Sequence, residues 1–133
     1  MYLLDTNPCI EILRNSQSPT KNHFEQHDPS EIYLCSVVVA ELFYGARKSN
    51  QVVKNVALVR EFCAPFVSLP FDDHCADYYG TIRCDLEGSG MKIGANDLFV
   101  AAIAKAYDLI LVTHNTNEFA RIAGLQIEDW YDA

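Results

Sequence analysis

The chain has 133 residues, half of them hydrophobic, with 10 Lys plus Arg against 18 Asp plus Glu and a formal net charge of −8. That length sustains one core and excludes two ordinary domains, so a single domain over 1–133 is expected. The apolar runs fall short of the roughly 18–20 residues that a membrane span needs, the start lacks the basic flank of a secretory signal, and the acidity speaks against sequence-independent phosphate binding. A cytoplasmic protein with no membrane contact is the expectation. The five cysteines at 9, 35, 63, 75 and 84 are odd in number and form no CxxC pair, which points to thiols, mostly buried, rather than to a disulfide framework or a zinc site.

Tyr2, Leu3 and Leu4 form a brief strand that runs into Asp5-Thr6-Asn7-Pro8, a helix-starting set, and a helix through Leu13. Ser18 before Pro19 starts a polar helix expected to reach about Gln26, ahead of the turn Asp28-Pro29-Ser30. Ile32 to Cys35 reads as the second strand, and Ser36 as the cap of a helix carrying Val37, Val38, Glu41, Leu42, Tyr44 and Gly45. Asn50 to Cys63 has apolar residues at helical spacing, and Phe66 to Leu69 is a strand between two prolines. Asp72 caps a long amphipathic helix that stops at Gly88-Ser89-Gly90. Asn96 is expected to cap an apolar helix from Asp97 to Tyr107, followed by a strand at Leu109 to Val112, a polar loop at 113–117 and a short strand at Leu125 to Ile127. Strands alternating with helices predict an α/β fold with a central parallel sheet of four to five strands and helices on both faces. In such sheets ligands sit at the carboxyl ends of the strands.

The polar residues gather at those ends. Asp5 closes the first strand, Asp97 opens an apolar helix, Glu118 follows the strand at 109–112, and Glu41 lies in the helix after the second strand. Converging carboxylates repel one another and raise one another's pKa unless a hard divalent cation such as Mg²⁺ or Mn²⁺ compensates their charge. Such an ion orients a water and neutralises a phosphoryl oxygen, so phosphodiester hydrolysis is the matching chemistry. Each acid also has a structural reading. Asp5 and Asp97 suit helix starts, where the dipole favours an ionised carboxylate, and Glu118 suits a solvated loop. Glu41 resists that reading, because an unpaired carboxylate in an apolar stretch is costly to bury.

His23, His27, His74 and His114 do not form the His-Glu-x-x-His pattern of a zinc protease, and His114 reads as a loop donor. Cys75 next to His74 is poorly placed as a nucleophile, since adjacent helical residues do not face each other. Gly88-Ser89-Gly90 is not followed by the Lys of a phosphate loop. Tyr78 and Tyr79 read as core or dimer surface. Arg47, Lys48, Lys54 and Arg60 are the candidates for a local basic patch that the net charge conceals.

The ordered set Leu3-Leu-Asp-Thr-Asn7, Ser36 through Glu41-Leu-Phe-Tyr-Gly45, Ile93-Gly-Ala-Asn-Asp97-Leu98 and Leu111-Val-Thr-His-Asn-Thr-Asn-Glu-Phe119, with the tail Ile127-Glu-Asp-Trp130, resembles the VapC toxins among PIN-domain ribonucleases. The resemblance spans essentially the whole chain. It implies a PIN fold, Mg²⁺- or Mn²⁺-dependent endoribonuclease activity and neutralisation by a VapB-like antitoxin. By position, Asp5 and Asp97 match the principal metal-binding aspartates, and Glu41 and Glu118 match further acids of the catalytic set. Thr6, Asn7, Ser36, Thr113 and Asn115 match polar positions around the site. Many PIN domains carry an aspartate soon after the equivalent of Thr113, where this chain has Asn115. Relatives with this tail are similar to toxins that cut initiator tRNA in its anticodon stem-loop, and the family implies a homodimer that forms a heterotetramer or larger assembly with antitoxin. The competing classes are a catalytically silent PIN-fold binding module, and a DNA nuclease or phosphatase built on the same carboxylates.

Overall fold

The computed structural model describes residues 1–14 and 17–131; of the expected domain, residues 15, 16, 132 and 133 lie outside the described residues. In chain order the elements are β1 (Tyr2–Leu4), α1 (Thr6–Arg14), α2 (Pro19–Glu25), a 3₁₀ turn (Pro29–Glu31), β2 (Ile32–Cys35) and α3 (Ser36–Arg47). There follow α4 (Val52–Cys63), β3 (Val67–Leu69), α5 (Asp73–Gly88), α6 (Ala95–Ala106), β4 (Ile110–Val112), α7 (Thr116–Phe119) and β5 (Ile127–Glu128).

The five strands pair in the order β3-β2-β1-β4-β5, all parallel. Successive residues of a strand point to opposite faces, and Leu3 and Leu4 of β1, Leu34 and Cys35 of β2, and Leu111 and Val112 of β4 are all 0% exposed. Both faces of the central strands are therefore covered by helices, which is how an all-parallel sheet hides its apolar runs. Each such leucine contributes about 1.5–3 kcal/mol by leaving water. The edge strand β3 differs, with Val67 and Ser68 exposed.

Helix boundaries follow local chemistry. Pro8 is accommodated in the first turn of α1, where its missing N–H has no intrahelical partner to lose. Ser18 caps α2 by accepting the Lys21 N–H at 3.1 Å, and Asp72 caps α5 by accepting the Cys75 N–H at 3.0 Å, both as the sequence suggested. Gly90, at φ 70°, ends α5, with the Met91 N–H on the Leu86 carbonyl and its own N–H on the Glu87 carbonyl. The same pair of bonds ends α6 around Asp108, at φ 53°: the Leu109 N–H reaches the Ala104 carbonyl and the Asp108 N–H the Lys105 carbonyl.

Several expectations are corrected. Gly94, not Asn96, is the N-cap of α6; its carbonyl accepts the Leu98 N–H at 3.0 Å, and Asn96 falls in the first turn. Cys35, not Ser36, occupies the N-cap of α3, because the helix starts directly from the last residue of β2. Gln51 is the N-cap of α4, so that helix starts two residues later than expected. The polar stretch at 113–117 gives way to α7 at Thr116. The last strand is Ile127–Glu128 rather than 125–127. Gly45 lies inside α3, as the sequence allowed, whereas Cys84 is exposed, unlike Cys9, Cys35 and Cys75.

Candidate active site

The strand order reverses direction at β1: the chain steps outward to β2 and β3, then returns to the other side of β1 with β4. Ligands of open parallel sheets bind at such a switch, outside the carboxyl ends of the strands. Asp5 leaves β1 and Thr113 leaves β4 at this point. The ladder extends to both, through Asp5 N–H to the Val112 carbonyl at 2.9 Å and Thr113 N–H to the Glu128 carbonyl at 3.0 Å. Asp5 is 5% exposed and Thr113 0% exposed, and the Thr113 hydroxyl donates to Asp5 Oδ2 at 2.8 Å. Asp5 thus faces the switch instead of serving only to start α1.

The other expected residues assemble around this pair. Thr6, the first residue of α1, donates its hydroxyl to Glu41 Oε1 at 2.8 Å, joining α1 to α3. Asn115 is the hinge of the opposite wall. Its N–H donates to the Thr113 hydroxyl at 3.0 Å, and its amide NH₂ donates to Asp97 Oδ2 at 3.2 Å and also to Glu118 Oε2. A β-carbon at Gly94 would stand 3.7 Å from Asp97 Oδ2, an ordinary van der Waals contact, so the site itself does not require glycine there. Asn7 and Ser36 line the adjoining groove beside Thr6 and Glu41. Among the described residues neither makes a side-chain hydrogen bond to the four acids.

Electrostatics separate this rim from the rest of the surface. Burial raises the Asp5 carboxyl; the Thr6 N–H and the Thr113 hydroxyl pull it back down, and Glu41 pushes it up. Asp97 is pushed up to about 7, first by its own burial, then by the charge of Asp5, by Glu118 and by Glu41. Four carboxyls therefore share one field, with neutral donors (Thr6, Thr113, Asn115) tying them in place and, among the described residues, no Lys or Arg in a salt bridge with them. Oxygen donors of this kind fit a hard divalent cation. Among the described residues no three His, Cys, Asp or Glu side chains close into a cage. Mg²⁺ sites commonly use only one or two carboxylates, with water and substrate phosphate completing the shell, and the chemistry of Asp5 and Asp97 is compatible with that.

A groove of about 1030 Å³ reaches the site at Glu41, which lines it together with Thr6, Asn7, Ser36, Asn96, Tyr44, Lys48, Asn55 and Leu58. Of the expected basic patch, Lys48 lines this groove, with its ammonium 4.9 Å from the centre of the Tyr44 ring, while Arg60 packs over Phe43 at 5.8 Å. Arg14 also lines it, which the sequence reading did not anticipate. Tyr79 stacks on Phe99 at 5.0 Å and packs against the core, as does Tyr78. His114, expected as a loop donor, donates to Asp129, which the sequence marked only as part of the tail at 127–130.

Compared with known proteins, residues 2–125 match the PIN domain. The tRNA(fMet)-specific endonuclease VapC of Shigella flexneri is 36% identical over 129 residues, 97% of each chain. The fold superposes on the crystal structure of DNA-bound VapBC from Salmonella typhimurium with a TM-score of 0.91, at 36% identity over 97% of each chain. It superposes on that of VapBC2 from Rickettsia felis, bound to a DNA fragment from their promoter, with a TM-score of 0.90 at 36% identity, covering 97% of this chain and 98% of that one. The fold and its acid-lined switch point thus define a PIN domain. Within that class, the chain belongs to the VapC family.

Proposed function

We infer that this protein is a Mg²⁺- or Mn²⁺-dependent endoribonuclease, the toxin of a toxin-antitoxin pair, and that Asp5, Glu41, Asp97 and Glu118 form its catalytic set. The observation that carries this reading is the convergence of the four acids at one strand-end rim, where burial and then the neighbouring acids push Asp97 up to about 7. Asp5 and Asp97 would hold the ion, with Glu41 and Glu118 as further ligands or partners of bound water. The cation supplies charge neutralisation at the scissile phosphate and lowers the pKa of a water. Thr113 fixes the Asp5 carboxylate and Thr6 fixes Glu41. Asn115 orients Asp97 and Glu118 together through one amide group.

RNA would enter along the groove, where Lys48 and Arg14 supply positive charge that the net charge of −8 conceals. The named activity of the Shigella relative makes initiator tRNA the first substrate to try. A VapB-like antitoxin would silence the enzyme by covering this groove, since the solved relatives are VapBC complexes and an antitoxin Arg or Lys would pair with the acids. A homodimer, joined by antitoxin into a heterotetramer or larger assembly, is the proposed form. No helix among the described residues is long and apolar enough to cross a membrane; a cytoplasmic site of action is part of the proposal.

The test is incubation of purified, antitoxin-free protein with total cellular RNA and Mg²⁺ or Mn²⁺, beside an EDTA control and the Asp5→Asn variant. Discrete fragments lost in both controls are expected, and end mapping would then name the target. Intact RNA under every condition would overturn the reading in favour of a silent PIN-fold module.

A further inference from the structure

The loop that carries Thr113 and Asn115 is bracketed by the chain's tail. Thr113 N–H donates to the Glu128 carbonyl at 3.0 Å, and one residue further on His114 Nδ1 lies 2.8 Å from Asp129 Oδ1. An ionised carboxylate only accepts, so Nδ1 carries the proton and Asp129 fixes the ring's tautomer and orientation. His114 Nε2 is buried without a hydrogen-bond partner among the described residues, so the ring is held from its Nδ1 side alone. The Tyr131 ring meets the His114 ring edge-on at 5.0 Å.

Asp129 is itself held firmly. On one side it follows β5. On the other, Trp130 is 1% exposed, donates its indole N–H to Glu128 Oε1 at 3.0 Å, and packs against His27 at 5.1 Å and Tyr2 at 5.2 Å. Asp129 Oδ1 also accepts the Tyr131 N–H at 2.9 Å, which closes a local turn. That turn would satisfy a merely structural tail residue. The bond to His114 is additional, and it reaches the residue between the two side chains that grip the acids: Thr113 on Asp5, and Asn115 on Asp97 and Glu118.

We propose that Asp129, acting through His114, is a positioning residue for the acidic site, setting the loop so that Thr113 and Asn115 hold Asp5, Asp97 and Glu118 in register. This rests on the function inferred above. The tail is then part of the active-site scaffold, and its contribution reaches the acids through two hydrogen-bonded steps without touching substrate.

The experiment compares wild type with Asp129→Ala, His114→Ala and Asp129→Asn. Three quantities are read on folded protein: Mn²⁺ affinity from the free-ion paramagnetic resonance signal, kcat and KM for cleavage of an RNA substrate, and the thermal midpoint. Loss of partners that orient a site's ligands costs on the order of 10–100-fold in affinity or rate. Asp129→Ala and His114→Ala are expected to weaken Mn²⁺ binding and lower kcat within that range, with KM within about twofold of wild type. Asp129→Asn, which keeps an acceptor oxygen, is expected to recover most of the loss. His114→Ala spares the local turn at 129–131 and decides the matter if Asp129→Ala does not fold. Variants that lose only thermal stability, with wild-type Mn²⁺ affinity and kcat per folded molecule, would overturn the proposal. A wild-type protein inert toward both Mn²⁺ and RNA would instead overturn the function on which it rests.

Discussion

The amino ends of α5 and α6 each present an aspartate, and the two are driven in opposite directions. Asp72, the N-cap of α5, accepts the Cys75 N–H and the Tyr107 hydroxyl, and these donors hold its carboxyl down at about 2. Asp97, in the first turn of α6, is half-buried beside Asp5, Glu41 and Glu118 and rises to about 7. Both positions enjoy the favourable end of a helix dipole. The difference lies first in burial, which raises Asp97 and hardly touches the exposed Asp72, and then in the company: donors around Asp72, other acids around Asp97. An acid that serves the fold is satisfied by it, whereas Asp97 is left in a field that an external cation would relieve.

The largest way to sharpen that contrast is to neutralise each acid. Asp97→Asn or Asp5→Asn is expected to lower RNA cleavage by on the order of 10³-fold or more, as several kcal/mol of charge stabilisation at the phosphate are lost. Asp72→Asn should cleave at the wild-type rate in the same gel assay. Equal losses at both positions would dissolve the distinction. Next in size is Asn115→Ala, which removes the amide shared by Asp97 and Glu118. A loss of about 10–100-fold in kcat is expected, read from steady-state cleavage of the mapped substrate.

The pH dependence of stability should also differ. A carboxyl whose folded pKa lies near 7 and unfolded pKa near 4 binds its proton more tightly when folded. In metal-free protein its stabilising contribution is complete below about pH 4 and is lost as pH rises through 7. Asp97→Asn should therefore stabilise the metal-free protein at pH 8. Solvent screening at this half-buried position brings the gain to about 1–2 kcal/mol, with little gain at pH 4, as measured by urea unfolding. Asp72 has the opposite sign, since its lowered pKa favours the fold above pH 4 and the benefit fades as pH falls toward 2. Smallest of all, Asp72→Ala should lower the urea midpoint slightly by loss of the cap, measured in the same unfolding series.

The difference between these two aspartates was only half legible in the sequence. The cap role of Asp72 was readable because a cap and its N–H partner lie within three residues. The alternation of apolar runs with helical spacing likewise exposed the parallel sheet, and Leu3-Leu4-Asp5 placed an acid at a strand end. What the sequence could not display was the order β3-β2-β1-β4-β5, which sets Thr113 against Asp5 across 108 residues. The same long-range closure puts His114 on Asp129 and makes Asn115 the bridge between two acids. Short elements were lost for a different reason. The four-residue helix α7 has too few positions to show a period, and the capping box of Asp28 and Glu31, which closes the 3₁₀ turn, lay in plain view as Asp-x-x-Glu but was read as a turn. Gly94 displaced Asn96 as a cap because the extended backbone there starts the helix two residues early.

The most direct test of the contrast is a thermal melt of wild-type protein and Asp97→Asn at pH 8, with and without millimolar Mn²⁺. If the acid rim is a cation site, Mn²⁺ should raise the wild-type midpoint by several degrees, as binding to the folded state alone requires, and leave Asp97→Asn close to its metal-free value. An unchanged wild-type midpoint, or an equal rise in both proteins, would contradict it.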